Sequence, residues 1–177
     1  MSKKRKHRSA GKNAVQNITQ QEIQQETQPA PVPDVQQSAP MTIQKTDKLI
    51  EKNPFAQLLG IQILEVREGF AYGRMRFDEH FTNIYGGMHG GCTYALADTM
   101  AGVAASTYGN YVTTVDGKMN YLEAVKDTEY IYCEVKVQRQ GKTIGVYSAK
   151  IWDDNQKLLV TADFTYYRTG EVIPAEI

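Results

Sequence analysis

The stretch HGGCTYALADTMAGVAAST, residues 89–107, decides the fold class that we expect for this chain. Residues 92–107 are rich in good helix formers, and their number predicts a helix of about four turns. Most side chains in this helix are small, so it is thin enough to pack closely against a sheet. Asp98 stands alone as a charged group in the run, which indicates a functional acid or a buried, hydrogen-bonded one.

A β-hairpin is predicted before this helix. Residues 61–68 and 70–77 alternate apolar and polar side chains around the turn pair Glu68-Gly69. One face of the first strand is predicted to carry Ile61, Ile63 and Glu65. Residues 46–60 are predicted to hold one or two short helices, capped by Thr46 or Asp47 and stopped at Gly60.

Four further strands are predicted after the helix. They lie around Gly117 and over residues 129–141, 142–153 and 157–169. The second of these alternates cleanly, with one face formed by Ile131, Cys133, Val135 and Val137. Short connections favour antiparallel pairing, so we expect an α+β domain in which one long helix lies across one curved sheet.

The first 45 residues have a different composition from the rest. They are rich in Gln, Pro, Ser and Lys and contain no aromatic residue, so we predict a disordered polar and basic tail over 1–45 and a single domain over 46–177. The basic start KKRKHR, residues 3–8, is interpreted as a solubilising tail or as a contact to RNA or an anionic surface. No apolar segment follows it, so a secretory signal is not predicted.

The overall composition is that of a globular protein. The chain has 177 residues, 41% of them hydrophobic, and a formal net charge of zero, so neither a specific nucleic acid nor a membrane is an expected partner. No run of 18 apolar residues is present, which excludes a membrane-spanning helix at this stage. Cys92 and Cys133 lack metal-ligand spacing, so we expect no metal site and a reduced, cytoplasmic protein.

Four segments, in order, carry a family resemblance: NPFAQLLGIQILEV (53–66), NIYGGMHGGCTYALADTMAG (83–102), TTVDGKMNYLEAV (113–125) and RQGKT (139–143). Together they resemble the hotdog-fold acyl-CoA thioesterases of the PaaI-like type, within the 4-hydroxybenzoyl-CoA thioesterase superfamily. The resemblance implies an antiparallel sheet wrapped around a long central helix. It also implies a homodimer at minimum, with a homotetramer favoured, and hydrolysis of an acyl-CoA to free acid and CoA. No cofactor is expected.

The catalytic pair that we expect is Gly90 and Asp98. The first amides of a helix lack internal partners, so the Gly90 N–H could bind a thioester oxygen as an oxyanion hole; from the residues alone, a plain glycine turn fits equally well. Asp98 lies eight residues further on, which is roughly 12 Å along a helix. The two groups must therefore meet across a twofold interface. Asp98 is either a general base on water or a nucleophile; the alternative is an acid bonded to hydroxyls such as Thr99 or Tyr94.

Three further residues match family positions. The resemblance implies that Asn83 holds the carbonyl or the water, that His89 contacts the thioester or orients the loop, and that Thr114 orients the water. The alternatives are a turn former, a structural histidine and an ordinary strand threonine. The resemblance also implies that the nucleotide end of CoA binds at the turn between two strands, at Arg139, Gly141, Lys142 and Thr143. The alternative is a solvated turn that binds no ligand.

Two other functions stay open at this stage. One is a hotdog hydratase or dehydratase, because EHF at Glu79 to Phe81 is similar to part of a dehydratase motif. The other is a non-catalytic acyl-CoA-binding hotdog, although the tail lacks the periodicity of a DNA-binding domain. The acyl group of the substrate is not readable from the sequence.

Overall fold

The computed structural model describes residues 48–174. The predicted tail over 1–45 and the predicted helix cap at Thr46 or Asp47 lie outside these residues. Residues 48–51 are helical, and helix α1 follows at Pro54–Leu58. The Asn53 side chain caps α1 by accepting the Ala56 N–H at 3.1 Å. The short helices predicted before Gly60 are therefore confirmed in the described part.

Six antiparallel strands form one sheet, in the spatial order β1-β2-β4-β5-β6-β3. Strand β3 lies at one edge and pairs with β6 along its length. A 3₁₀ turn at Glu79–Phe81 follows β2. The strands are β1 Gln62–Arg67, β2 Phe70–Arg76, β3 Asn110–Tyr121, β4 Tyr130–Gln140, β5 Ile144–Asp153 and β6 Leu158–Val172.

One long helix, α2 at Gly90–Ser106, lies across a single face of this sheet and contacts all six strands. Its apolar residues are almost completely buried, and the sheet side chains beneath them are equally buried. Small residues on α2 bring the helix close to the sheet, as predicted, and the α+β architecture is confirmed. The buried layer between helix and sheet contains Leu96, Ala97, Met100 and Ala101 from the helix and Ile131, Val135, Ile151 and Phe164 from the sheet.

The alternation predicted for the first hairpin strand is wrong beyond Ile63. A β-bulge between Ile63 and Glu65 inserts one residue into β1. The bulge reverses the alternation, so Val66 is buried while Leu64 and Glu65 are exposed. In β4, by contrast, the predicted face is confirmed, with three fully buried residues and a partly buried Val137.

Within residues 48–174, no helix is both long enough and apolar enough to cross a bilayer. Cys92 and Cys133 are both free thiols. Cys133 is completely buried in the core, and burial raises the pKa of its thiol far above the ordinary value.

The close approach of α2 to the sheet predicts opposite effects for two Gly→Ala changes. A Cβ at Gly73 would lie 2.6 Å from the Gln62 backbone oxygen and 2.7 Å from the Met100 sulfur. Gly73→Ala should therefore lower the free energy of unfolding by about 1–3 kcal/mol through overpacking. Urea unfolding followed by circular dichroism measures this loss.

The matched control is Gly102→Ala in the interior of α2. A Cβ there makes an ordinary contact of 3.4 Å with the Tyr166 hydroxyl. Because alanine loses less backbone entropy in a helix than glycine does, this variant should gain roughly 0.5–1 kcal/mol. Equal stability of the two variants would contradict the packing described here.

Candidate active site

His89 forms the N-terminal cap of α2. Its Nδ1 accepts the Gly91 N–H at 2.9 Å, and its backbone oxygen accepts the Cys92 N–H at 2.9 Å. Its own N–H donates to the Phe81 oxygen at 2.7 Å. The imidazole thus caps the start of the helix through Nδ1, and the His89 backbone N–H joins the helix start to the preceding loop. The ring is hydrogen-bonded, as the structural alternative requires, and a contact of His89 with the thioester stays a prediction.

The Gly90 amide is the first N–H of α2 and finds no acceptor among residues 48–174. It lies at the positive end of the helix dipole, next to a cavity of about 420 Å³. Tyr121 donates its hydroxyl to the Gly90 oxygen at 3.1 Å, and a Cβ at Gly90 would lie 3.2 Å from the Tyr121 ring. The cavity is lined by these two residues and by Asn83, Met88, Thr93, Leu122, Glu123, Ala124, Val125 and Val160.

Asn83 organises the loop that leads into α2. Its Oδ1 accepts the Tyr85 N–H at 2.9 Å, which is an Asx turn, and its backbone exchanges hydrogen bonds with Gly86 and Gly87. The turn-forming role is therefore present, and the same side chain also lines the Gly90 cavity.

Two hydroxyls hold the Asp98 carboxylate. Thr114 on β3 donates to Asp98 Oδ1 at 2.9 Å, and Tyr166 on β6 donates to the same oxygen at 2.7 Å. The Tyr166 hydroxyl also lies 2.6 Å from the Asp98 backbone oxygen. Oδ2 receives no hydrogen bond from the described part of the chain, which leaves it available to a reacting group.

A second β-bulge explains why Thr114 reaches Asp98. The register of β3 shifts at Val115, between the pairs Thr114↔Tyr166 and Asp116↔Thr165. Residues Gly117 and Met119 face the helix, so strict alternation would turn Val115 inward. The extra residue reverses the alternation, and Thr114 then faces α2 beside its partner Tyr166.

Tyr166 is a site residue that sequence reasoning missed. Burial and the neighbouring Asp98 charge raise the pKa of its phenol far above the ordinary value, so it remains a proton donor to the carboxylate. The alternation in DFTYYRT places Phe164 and Tyr166 on the same face of the strand, which is a usable signal. That alternation points to Asp98 only once the pairing of β6 with β3 is known. The donors foreseen as an alternative were Thr99 and Tyr94; instead Thr114 and Tyr166 bond the acid.

Gly90 and Asp98 do not meet within one chain. Both lie on the same unbroken helix, eight residues apart, and they line different cavities. A rise of about 1.5 Å per residue separates them by roughly 12 Å along the axis. The cavity at Asp98 has a volume of about 220 Å³ and is lined by Leu49, Ile50, Asn53, Asp98, Thr99, Gly102, Val103, Ser106, Val112, Thr114 and Tyr166.

The residues expected at the nucleotide end of CoA lie at the end of β4, where Arg139 stands, and in the turn between β4 and β5. Arg139, Lys142 and Thr143 are exposed, and the Thr143 oxygen accepts the Arg168 N–H at 2.8 Å. Gly141 is needed for the turn itself, because a Cβ there would lie 2.6 Å from the Ile144 oxygen. Gly145 pairs with Tyr166, so this turn and the Asp98 carboxylate share one end of the sheet.

No group of three His, Cys, Asp or Glu side chains arranged to hold a metal ion occurs within residues 48–174. The chain offers a carboxylate held by two hydroxyls in one cavity and an open amide at the helix start in another. These groups suit proton transfer and oxyanion binding.

Comparisons of sequence identify relatives of the chain. The family model of the thioesterase superfamily matches residues 85–160. The chain is 28% identical over 133 residues to acyl-coenzyme A thioesterase PaaI of Escherichia coli, covering 75% of this chain and 95% of that protein. It is 30% identical over 100 residues to human acyl-coenzyme A thioesterase 13, covering 55% of this chain and 71% of that protein.

Solved structures agree with the sequence comparison. The PaaI protein of E. coli matches with a TM-score of 0.71 and 27% identity, covering 74% of this chain and 95% of that one. A hypothetical thioesterase protein of Streptococcus pneumoniae, solved with coenzyme A, matches with a TM-score of 0.61 and 26% identity, covering 64% of this chain and 91% of that one. The expected hotdog fold, a sheet around one long helix, is thereby confirmed, and the chain belongs to the thioesterase superfamily.

Proposed function

We propose that this protein is an acyl-CoA thioesterase whose active site forms between two subunits. The observation that carries the proposal is the Asp98 carboxylate, held through Oδ1 by Thr114 and Tyr166 while Oδ2 stays open beside a cavity. The E. coli and human relatives are named acyl-coenzyme A thioesterases, which supports the substrate class. Release of CoA thiol from acyl-CoA, followed with a thiol dye, is the direct test.

In the proposed reaction, Asp98 Oδ2 removes a proton from water while the water oxygen attacks the thioester carbonyl carbon. The negative charge that grows on the carbonyl oxygen is bound by the Gly90 N–H of the partner subunit. The C–S bond then breaks, and the proton passes from Asp98 to the departing CoA sulfur. The two hydroxyls on Oδ1 keep the carboxylate oriented, since Tyr166 remains protonated.

Thr114 acts in this mechanism by orienting the base, and through it the water. His89 keeps the Gly90 amide aimed by capping the adjacent amides. Asn83 holds the loop in front of that amide. In the alternative mechanism, Asp98 attacks the thioester carbonyl carbon directly and forms a transient anhydride. That mechanism uses the same two carboxylate oxygens of Asp98 and stays open.

Strand β3 supports a twofold assembly. It is an edge strand of twelve residues, and Tyr111, Val115 and Tyr121 on it are substantially exposed. A long exposed edge with apolar side chains is a ready surface for pairing with a second copy. An isologous dimer repeats each contact, so it would create two identical sites. A homodimer is thus the smallest active form that we infer, and a tetramer and a cytoplasmic location stay predictions.

The turn between β4 and β5 is the proposed contact for the CoA phosphates. Arg139 and Lys142 offer exposed cations there, at the same end of the sheet as Asp98. The S. pneumoniae structure with coenzyme A supports binding of CoA by proteins of this fold. The reaction as written uses only the carboxylate and the amide, and we propose no cofactor.

Asp98→Asn should reduce kcat by about 10²–10⁴, because the amide cannot accept the water proton. Thiol release measures the loss, and thermal unfolding verifies that the fold is kept. The matched control is Asp163→Asn, an exposed residue on β6 outside the site, which should retain wild-type turnover. Near-normal turnover of Asp98→Asn on every hydrolysed substrate would contradict the role of Asp98.

Gly90→Pro should remove the oxyanion donor without breaking α2. Proline is accepted at the first helical position, and His89 before it already has an extended backbone, with φ of −65° and ψ of 133°. Gly90→Ala keeps the N–H and adds the same Cβ near Tyr121. We therefore expect Gly90→Pro to have a kcat about 10²–10³ below that of Gly90→Ala. Equal kcat in the two variants would exclude the amide as the donor.

Co-expression of Asp98→Asn and Gly90→Pro chains should restore activity that neither variant has alone. Half of randomly formed dimers contain one chain of each kind, and each has one site with both groups intact. The mixture should reach about a quarter of wild-type turnover. Activity no higher than that of the separate variants would place both groups of a site on one chain.

A further inference from the structure

The cavity at Asp98 extends along one stripe of α2. Asp98, Gly102 and Ser106 are four residues apart and therefore follow one another on the same face of the helix, and all three line the cavity. Ser106 lies roughly 12 Å beyond Asp98 along the axis. The reacting end of the cavity is thus marked by a carboxylate and the far end by a hydroxyl.

Ser106 is buried and unpartnered. Its relative exposure is 7%, and its Oγ makes no hydrogen bond with any residue in 48–174. The two buried threonines behave differently: Thr93 donates to the Gly90 oxygen at 2.8 Å and Thr107 to the Ala104 oxygen at 2.6 Å. A serine in a helix usually donates to a backbone oxygen of the preceding turn in this way. Ser106 does not, so its hydroxyl is free for another partner.

The Ser106 hydroxyl has access to the cavity. In the described residues, no completely inaccessible side-chain nitrogen or oxygen lacks a partner, so the unpartnered Oγ retains accessible surface. Ser106 is one of the residues that line the cavity at Asp98, so this cavity is the opening that we assign to its hydroxyl. Its volume of about 220 Å³ equals that of several water molecules, at about 30 Å³ each in the liquid. It can therefore hold more than a single bridging water.

The rest of the cavity lining combines aliphatic and polar residues, with Asn53 and Thr99 among the polar ones. Leu49, Ile50, Val103 and Val112 contribute aliphatic side chains, and Gly102 contributes none. Gly102 stands between Asp98 and Ser106 in this stripe, so no side chain of the stripe separates the two ends of the cavity. The four aliphatic side chains can pack against a hydrocarbon segment, while Ser106 offers a hydrogen bond.

We propose, building on the thioesterase function above, that Ser106 selects acyl groups with a hydroxyl or carbonyl oxygen near the end remote from the thioester. A purely alkyl chain would displace water from Ser106 and leave its hydroxyl unpaired, which is costly in a buried site. An acyl group with an oxygen at that depth keeps the hydrogen bond. Such a site discriminates more strongly between polar and apolar analogues than between chains that differ by one methylene. Ser106 is a specificity-determining residue in this account.

The test compares matched substrates on wild type and Ser106→Ala. The pairs are hexanoyl-CoA with 6-hydroxyhexanoyl-CoA, octanoyl-CoA with 8-hydroxyoctanoyl-CoA, and decanoyl-CoA with 10-hydroxydecanoyl-CoA. Wild type should prefer the hydroxylated member of at least one pair by roughly 10-fold to 100-fold in kcat/KM. Ser106→Ala should lose most of this preference and should hydrolyse the alkyl member at least as well as wild type does.

Alanine is a good helix former, so Ser106→Ala is not expected to unfold the protein. Ser148→Ala serves as the matched control, because Ser148 bonds Gln138 on β4 away from the cavity and should leave the preference unchanged. Equal kcat/KM within every pair, or an undiminished preference in Ser106→Ala, would overturn this inference while leaving the thioesterase function standing. Failure to release thiol from any acyl-CoA would overturn both.

Discussion

The rigidity of one helix governs the arrangement of this site. The capped amide end and the carboxylate belong to the same α-helix, and hydrogen bonding along that helix fixes their separation. No side-chain rotation can close a gap of that size. A chemistry that needs both groups on one carbonyl must therefore take them from two helices. The helix itself packs against all six strands of the sheet, so its contacts with the core fix the positions of both groups.

The acid is oriented from the sheet, not from its own helix. Thr114 and Tyr166 are paired across neighbouring strands and approach Asp98 from the same side. A regular β3 would have presented Val115 instead, and the carboxylate would have lost one of its two donors. Bulges often re-aim a side chain beside a functional site, and here a single additional residue does so.

Much of the fold follows from patterns that a single strand or helix carries by itself. The length of α2, the inward face of β4 and the hairpin turn at Gly69 depend on local periodicity and turn chemistry, and all were predictable. The bulges in β1 and β3 were not, because each is defined by a partner strand that the local sequence does not specify. For that reason the alternation places Glu65 on the face of Ile61 and Ile63, whereas the structure exposes Glu65 and buries Val66.

The same limit applies to the site. Gly90 and Asp98 stand out in the sequence through the motif around them, and the distance between them could be calculated from helix geometry alone. Tyr166 could not be found this way, since its role arises from a contact across sixty-eight positions of sequence. The absence of a partner for Ser106 is likewise invisible before the neighbours of its hydroxyl are known.

The strand order has a consequence for how the chain folds. Strand β2 pairs with β4, and β3 pairs with β6. The strands of each pair are separated in sequence by other helices or strands, so these pairings are remote. Proteins dominated by such remote pairings fold slowly, on a scale of roughly milliseconds to seconds. During that interval β3 presents an open hydrogen-bonding edge to other nascent chains. Correct and incorrect association then both accelerate with protein concentration, so yield during expression depends on how quickly the ladders close.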